Sequence, residues 1–166
     1  MTGDAGRGDP VEAFVADWRA AGWGEELPMA ATASIMRAQR TLLNRNEATL
    51  RSFDLTFPRY EVLVLLLFRP GNAVPLSRLS DWLMVHPTSV TNTVDRLEGK
   101  GLVRRVQHPR DRRALMVELS DEGRDTARRV VKALVDEGFG VRGLTDDELR
   151  TLVSLLRKVR AGAGEF

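Results

Sequence analysis

The sequence predicts a mainly α-helical chain with one small β-hairpin, an α+β arrangement, and three observations carry that expectation. Apolar residues recur at helical spacing on both sides of a central segment. Within that segment, residues 102–119 change to strand character, with Leu115, Val117 and Leu119 alternating with Ala114, Met116 and Glu118. Helix-start and helix-stop residues (Ser, Thr and Pro at the beginnings, Gly at the ends) fall between the patterns.

The elements follow in order. Residues 1–9 are polar and Gly-rich, the composition of a flexible terminus. Pro10 to Trp23 reads as a short helix with Val11, Phe14, Val15 and Trp18 on one side. A long helix is expected from Pro28 to Ser52, carrying Ile35, Met36, Leu42, Leu43 and Leu50 among arginines. Thr56 to Phe68 follows, with Thr56 as N-cap, Pro58 in the first turn and an apolar stretch that belongs at the centre of the core. Beyond the hairpin, Ser120 caps a helix whose first turn holds Asp121 and Glu122, as the helix dipole favours. Thr145 to Glu148 forms a capping box opening a last helix, in which Leu149, Leu152, Val153, Leu156 and Val159 repeat at helical spacing.

The central segment from Leu76 to Leu119 is the most informative. It holds a short helical pattern, a turn, a second helix and then the hairpin. Pro87, with His86 before it, suits the start of the second helix, where its missing N–H costs nothing. Val90, Val94 and Leu97 fall on one face, so Thr88, Thr91, Asn92 and Asp95 point the other way, flanked by Ser89 and Arg96. Small hydroxyl and amide side chains there let a helix lie close to base edges and phosphates in a major groove. Gly99 and Gly101 supply the stop. The hairpin loop, Gln107 to Arg113, includes Arg110, Asp111, Arg112 and Arg113 and is too basic to bury. Between Arg96 and Arg113 seven cations face two acids, a net of +5, whereas the whole chain carries +2. A polar-faced helix followed by a basic hairpin is the arrangement of a winged helix-turn-helix, used chiefly to grip duplex DNA.

The segment from Pro87 to Gly123 resembles the multiple-antibiotic-resistance regulator (MarR) family of bacterial transcription factors. The Asp111-Arg112-Arg113 wing, followed by Val117, Leu119, Ser120 and Gly123, matches that family's wing motif. The resemblance spans roughly residues 30 to 160. It implies a homodimer on a palindromic operator in double-stranded DNA, acting as a repressor that a small-molecule effector releases. It makes Arg113 the arginine entering the minor groove and gives Asp111 the holding of the wing tip. Thr88, Ser89, Thr91 and Asn92 become groove-facing positions. Arg110 belongs to the same basic tip, Arg112 is placed near a phosphate, and Arg96 serves either a phosphate or a structural ion pair. The implied organisation is a flexible terminus (1–9), N-terminal helices for dimerisation with a possible ligand crevice (10–55), the DNA-binding lobe (56–119) and C-terminal dimerisation helices (120–162). The helix ahead of the long one is similar to an extension in the subgroup that answers to urate and related purines. There Trp18 either lines a pocket or packs the extra helix. Glu61 lies where that subgroup places an acidic residue, and Arg37 either pairs an anionic ligand or is a surface charge.

Composition closes other routes. With no cysteine, disulfides, thiol redox sensing and thiolate metal sites are impossible. His86 and His108 lie outside metal-ligand spacing, and no phosphate loop or nucleophile motif occurs, so no catalytic residue, metal or cofactor is expected. No signal peptide or membrane-length apolar run is visible; Val62 to Phe68 is much too short, and a cytoplasmic protein is expected. The alternative function is a winged helix that serves as an architectural or protein-interaction module without operator specificity. A footprint separates the two, since a regulator protects one palindrome and an architectural protein coats DNA.

Overall fold

The computed structural model describes residues 8–108 and 111–165, residues 111–113 by their backbone alone. Residues 1–7 of the polar terminus and Arg110 of the wing tip therefore lie outside the described residues. Among those described, the helices and strands run α1 (Pro10–Ala20), α2 (Glu26–Leu50), α3 (Phe57–Leu67), β1 (Ala73–Pro75), α4 (Leu76–Leu83), α5 (Pro87–Glu98), β2 (Val103–His108), β3 (Asp111–Leu119), α6 (Asp121–Asp136) and α7 (Asp146–Gly162). The mainly helical chain with a small antiparallel sheet is the expected class.

Asp9 caps α1 by accepting from the Val11 N–H at 2.8 Å, and Pro10 fills the first turn. The helix ends at Ala20, three residues short of the expected Trp23, because Gly22 and Gly24 turn the chain at positive φ. Trp18 holds that turn. Its indole N–H donates to the Gly24 carbonyl at 2.7 Å, and its ring meets Trp23 edge-on at 4.9 Å. Arg19 bonds both carboxylate oxygens of Glu26, at 2.7 and 2.9 Å, tying α1 to the start of α2.

α3 lies at the centre of the core, with Val62, Leu63 and Leu66 almost wholly buried beside Leu50, Leu79, Val94, Leu97, Val117, Val130 and Leu134. Its expected N-cap differs in detail. Thr56 occupies the position, but its hydroxyl accepts no backbone N–H, and Pro58 has removed one of the first-turn donors.

The sheet order is β1-β3-β2, antiparallel throughout, with Val74 opposite Val117 and Val103 opposite Leu119. β1 was not legible: three residues ending in proline show no alternation. The inward alternation of β3 holds for Val117 and Leu119 but stops at Leu115, which is 46% exposed. Leu115 borders an open notch toward α4 and α5 instead of packing against them. Of the two stop glycines, Gly101 makes the left-handed turn (φ +70°), while Gly99 keeps right-handed helical geometry.

Ser120 joins wing to helix. Its hydroxyl accepts from the Gly123 N–H at 2.9 Å and donates to the Gly101 carbonyl at 2.6 Å. Gly123 then lies flush against the Leu102 carbonyl, with no room for a side chain. At the C-terminal end the capping box forms as expected, Thr145 and Glu148 satisfying each other's backbone N–H groups. These bonds hold the Glu148 carboxyl below its ordinary pKa. α7 buries none of its residues, and Leu152, Val153, Leu155 and Val159 are 38–62% exposed.

Candidate nucleic-acid interface

α5 stands as a ridge on the lobe formed by α3, α4 and the sheet. The His86 imidazole Nδ1 caps it, accepting from the Thr88 N–H at 3.3 Å. Val90, Val94 and Leu97 are buried, and the opposite face presents Thr88, Ser89, Thr91, Asn92, Asp95 and Arg96, all exposed. The Thr91 hydroxyl donates to the Pro87 carbonyl at 3.1 Å, so what it offers a partner is chiefly acceptor capacity.

The hairpin projects beside this ridge. Its pairing slips between Gln107 and His108, where Asp111 stands opposite His108. Asp111, Arg112 and Arg113 begin β3 at the outer end of the hairpin, and Arg110 lies outside the described residues.

The charge balance needs a correction. Of the four among the seven cations whose side chains are described, three are matched within the fold. Arg104 pairs with Glu118 at 3.2 Å across the sheet. Arg105 bonds Asp95 at 2.5 Å and also Glu98, locking β2 to α5. Lys100 bonds the carboxylate and carbonyl of Asp54, just ahead of α3. That hydrogen bond, with the ammonium charge, holds the Asp54 carboxyl below its ordinary range. Of the remaining four cations, Arg96 is the one whose side chain is described. Arg96 itself forms no ion pair with a described residue; Arg105 takes the structural pairing that the sequence left open for Arg96.

A notch lies on each side of the ridge. On the wing side, Pro87 and Thr91 face Ala114 and Leu115 across Leu76, Ser77 and Ser80. On the other, Asn92, Thr93, Asp95 and Arg96 face Thr56, Pro58 and Arg59 of the α3 start. Sequence reasoning missed Ser77, Leu115, Thr56 and Arg59. Each sits on an element whose periodicity assigns it to packing or solvent, and only the fold sets it beside α5.

The three ligand candidates are not gathered into one cavity. Arg37 lines a groove between α1 and α2 with Phe14, Met36 and Arg40. The Trp18 N–H is engaged by Gly24, within the aromatic cluster of the α1–α2 turn. Glu61 is half-buried on α3, and burial raises its carboxyl above the ordinary pKa; burial, then the Glu61 charge, raises Tyr60 as well. An acid with a raised folded-state pKa weakens the fold as pH climbs through the carboxylate range, because the native state then holds a charge it accommodates poorly. Glu61→Gln is therefore expected to be more stable than wild type at pH 7, the gap closing below about pH 4, where both states are protonated. Thermal melts at the two pH values check this, and an unchanged melting temperature at pH 7 would refute it.

Residues 55–115 match the MarR family model. HTH-type transcriptional regulator YhbI of Bacillus subtilis, itself uncharacterized, is 30% identical over 136 residues, covering 80% of this chain and 85% of the relative. Among solved structures, Sco5413, a MarR family transcriptional regulator from Streptomyces coelicolor, is 41% identical with a TM-score of 0.78, covering 84% of this chain and 98% of the other. A second regulator of that family and organism, Sco3205, was solved in complex with DNA; it is 27% identical with a TM-score of 0.74, covering 81% of this chain and 86% of the other. No helix among the described residues is long and apolar enough to cross a membrane. With the fold, the hairpin and these relatives in agreement, the chain belongs to the MarR family and is a DNA-binding transcriptional regulator rather than an enzyme.

Proposed function

We propose that the protein works in the cytoplasm as a homodimer on a palindromic operator, where it represses transcription until a small molecule releases it. The ridge of α5 beside the basic hairpin carries this reading. α5 enters the major groove, with Thr88, Ser89, Thr91 and Asn92 at base edges and Arg96 toward the backbone. The hairpin reaches the adjacent minor groove, where Arg113 meets the negative potential, Arg110 and Arg112 approach phosphates and Asp111 shapes the tip. The exposed apolar stripe of α7 supports the dimer, since water is a poor neighbour for Leu152, Val153, Leu155 and Val159 together. Release requires a ligand that binds the DNA-free form better, and the α1–α2 groove with Arg37 and Arg40 offers cationic lining for an anion, while Trp18 in the α1–α2 turn and Glu61 on α3 lie outside that groove. The segment roles follow: N- and C-terminal helices for dimerisation, residues 56–119 for DNA. One relative bears on repression by name, HTH-type transcriptional repressor MdtR of Bacillus subtilis, 33% identical over 63 residues, and one on operator binding, a mutant MarR from E. coli solved with operator DNA, 28% identical.

The experiment is selection of bound duplexes from a random pool, followed by footprinting. One protected palindrome is the expected result; uniform coating without preference would establish the architectural alternative. On the selected duplex, Arg113→Ala is expected to weaken binding at all sequences and flatten the slope of log K against log salt by about one unit. Asn92→Ala should instead change the ranking of operator variants. A wild-type slope for Arg113→Ala would remove the minor-groove role.

A further inference from the structure

We propose that Thr56, Arg59 and Arg96 form a seat for a DNA backbone phosphate on the side of α5 that faces away from the wing. This rests on the reading of α5 as the groove-entering helix and adds a contact outside both the helix ridge and the hairpin. A helix lying in a major groove is straddled by two sugar–phosphate strands, about 12 Å apart across the groove. The fold provides a notch on each side of α5 where those strands must run. The two differ in chemistry. The described residues of the wing-side notch are hydroxyl-bearing and apolar, Ser77, Ser80, Thr91, Leu76, Pro87, Ala114 and Leu115. The opposite notch brings together two guanidinium groups, Arg59 from α3 and Arg96 from α5.

Three observations set these groups apart from the pairings that hold the fold. Neither Arg59 nor Arg96 makes a hydrogen bond or ion pair with a described residue. The one carboxylate lining the notch, Asp95, is held by Arg105 at 2.5 Å, which leaves its charge matched. The Thr56 hydroxyl at the start of α3 caps no backbone N–H, so it remains free to donate to an oxyanion. Asp54 feels the Arg59 field, but its bond is to Lys100. Two cations and a donor, beside a carboxylate already paired with Arg105, suit a phosphate diester, which carries one negative charge and two acceptor oxygens.

Arg59 is the residue to test, because nothing else assigns it to DNA. Binding of a fluorescein-labelled mixed-sequence duplex is followed across a salt titration for wild type, Arg59→Gln, Arg59→Lys and Arg128→Gln. Arg128 lies on the exposed side of α6, paired with Asp125, and controls for the loss of one charge anywhere. Arg59→Gln is expected to lower the slope of log K against log salt by about 0.9, the value for one phosphate contact. Arg59→Lys should keep most of the slope, and Arg128→Gln all of it. Far-UV circular dichroism and a thermal melt confirm that the Arg59→Gln chain is folded. A folded Arg59→Gln protein with the wild-type slope overturns the seat while leaving the α5 reading in place. A wild-type protein with no salt dependence at all overturns both.

Discussion

Gly123→Ala is expected to destabilise the folded chain by about 3 kcal/mol, at the upper end of ordinary overpacking costs. The reason is backbone against backbone. A Cβ at this position overlaps the Leu102 carbonyl oxygen, and that oxygen accepts the Ser120 N–H at 3.1 Å. No side-chain rotation relieves the clash. Either α6 shifts away from β2 or the Ser120 bond is lost, and Ser120 also links Gly101 to the first turn of α6. Urea denaturation at one fixed protomer concentration measures the loss, since subunit association would otherwise shift the midpoint. A midpoint equal to that of wild type would show that α6 stands off from the sheet.

Charging the α7 stripe is the second large effect. Val153→Glu with Val159→Glu puts two carboxylates where two exposed valines stand. If α7 meets a second subunit, that association fails, because burying unpaired charges costs far more than the lost apolar contact returns. The fold of the single chain should survive, since α7 buries none of its residues there. Affinity for a two-half-site duplex then falls by about 10²- to 10⁴-fold, the gain that linking two weak binders supplies. Light scattering at matched concentration reports the mass, and titration of the selected duplex reports the affinity. A variant that keeps both the wild-type mass and the wild-type affinity would move the dimer interface elsewhere.

Much of the architecture was legible because local rules and burial agree. Val90, Val94 and Leu97 repeat at helical spacing and are buried, and Ser120 and Thr145 cap the helices they precede. Boundaries moved where glycine chemistry outweighed apolar spacing, as in the turn after Ala20. The pairings that settle the site were not legible. Arg105 reaches back to Asp95 and Glu98, and Lys100 reaches Asp54 from forty-six residues away, so counting charges along the chain overstated the outward field. Arg59 was hidden for the opposite reason: its neighbours in sequence belong to the most apolar helix, and its neighbours in space belong to α5.

The Arg105 bridge has a mechanical meaning. It ties the root of the hairpin to two carboxylates on α5, and Lys100 ties the far end of that helix to the chain ahead of α3, so these parts are linked to one another by side chains as well as by the chain. On the proposed docking, helix and hairpin would meet or leave the duplex together.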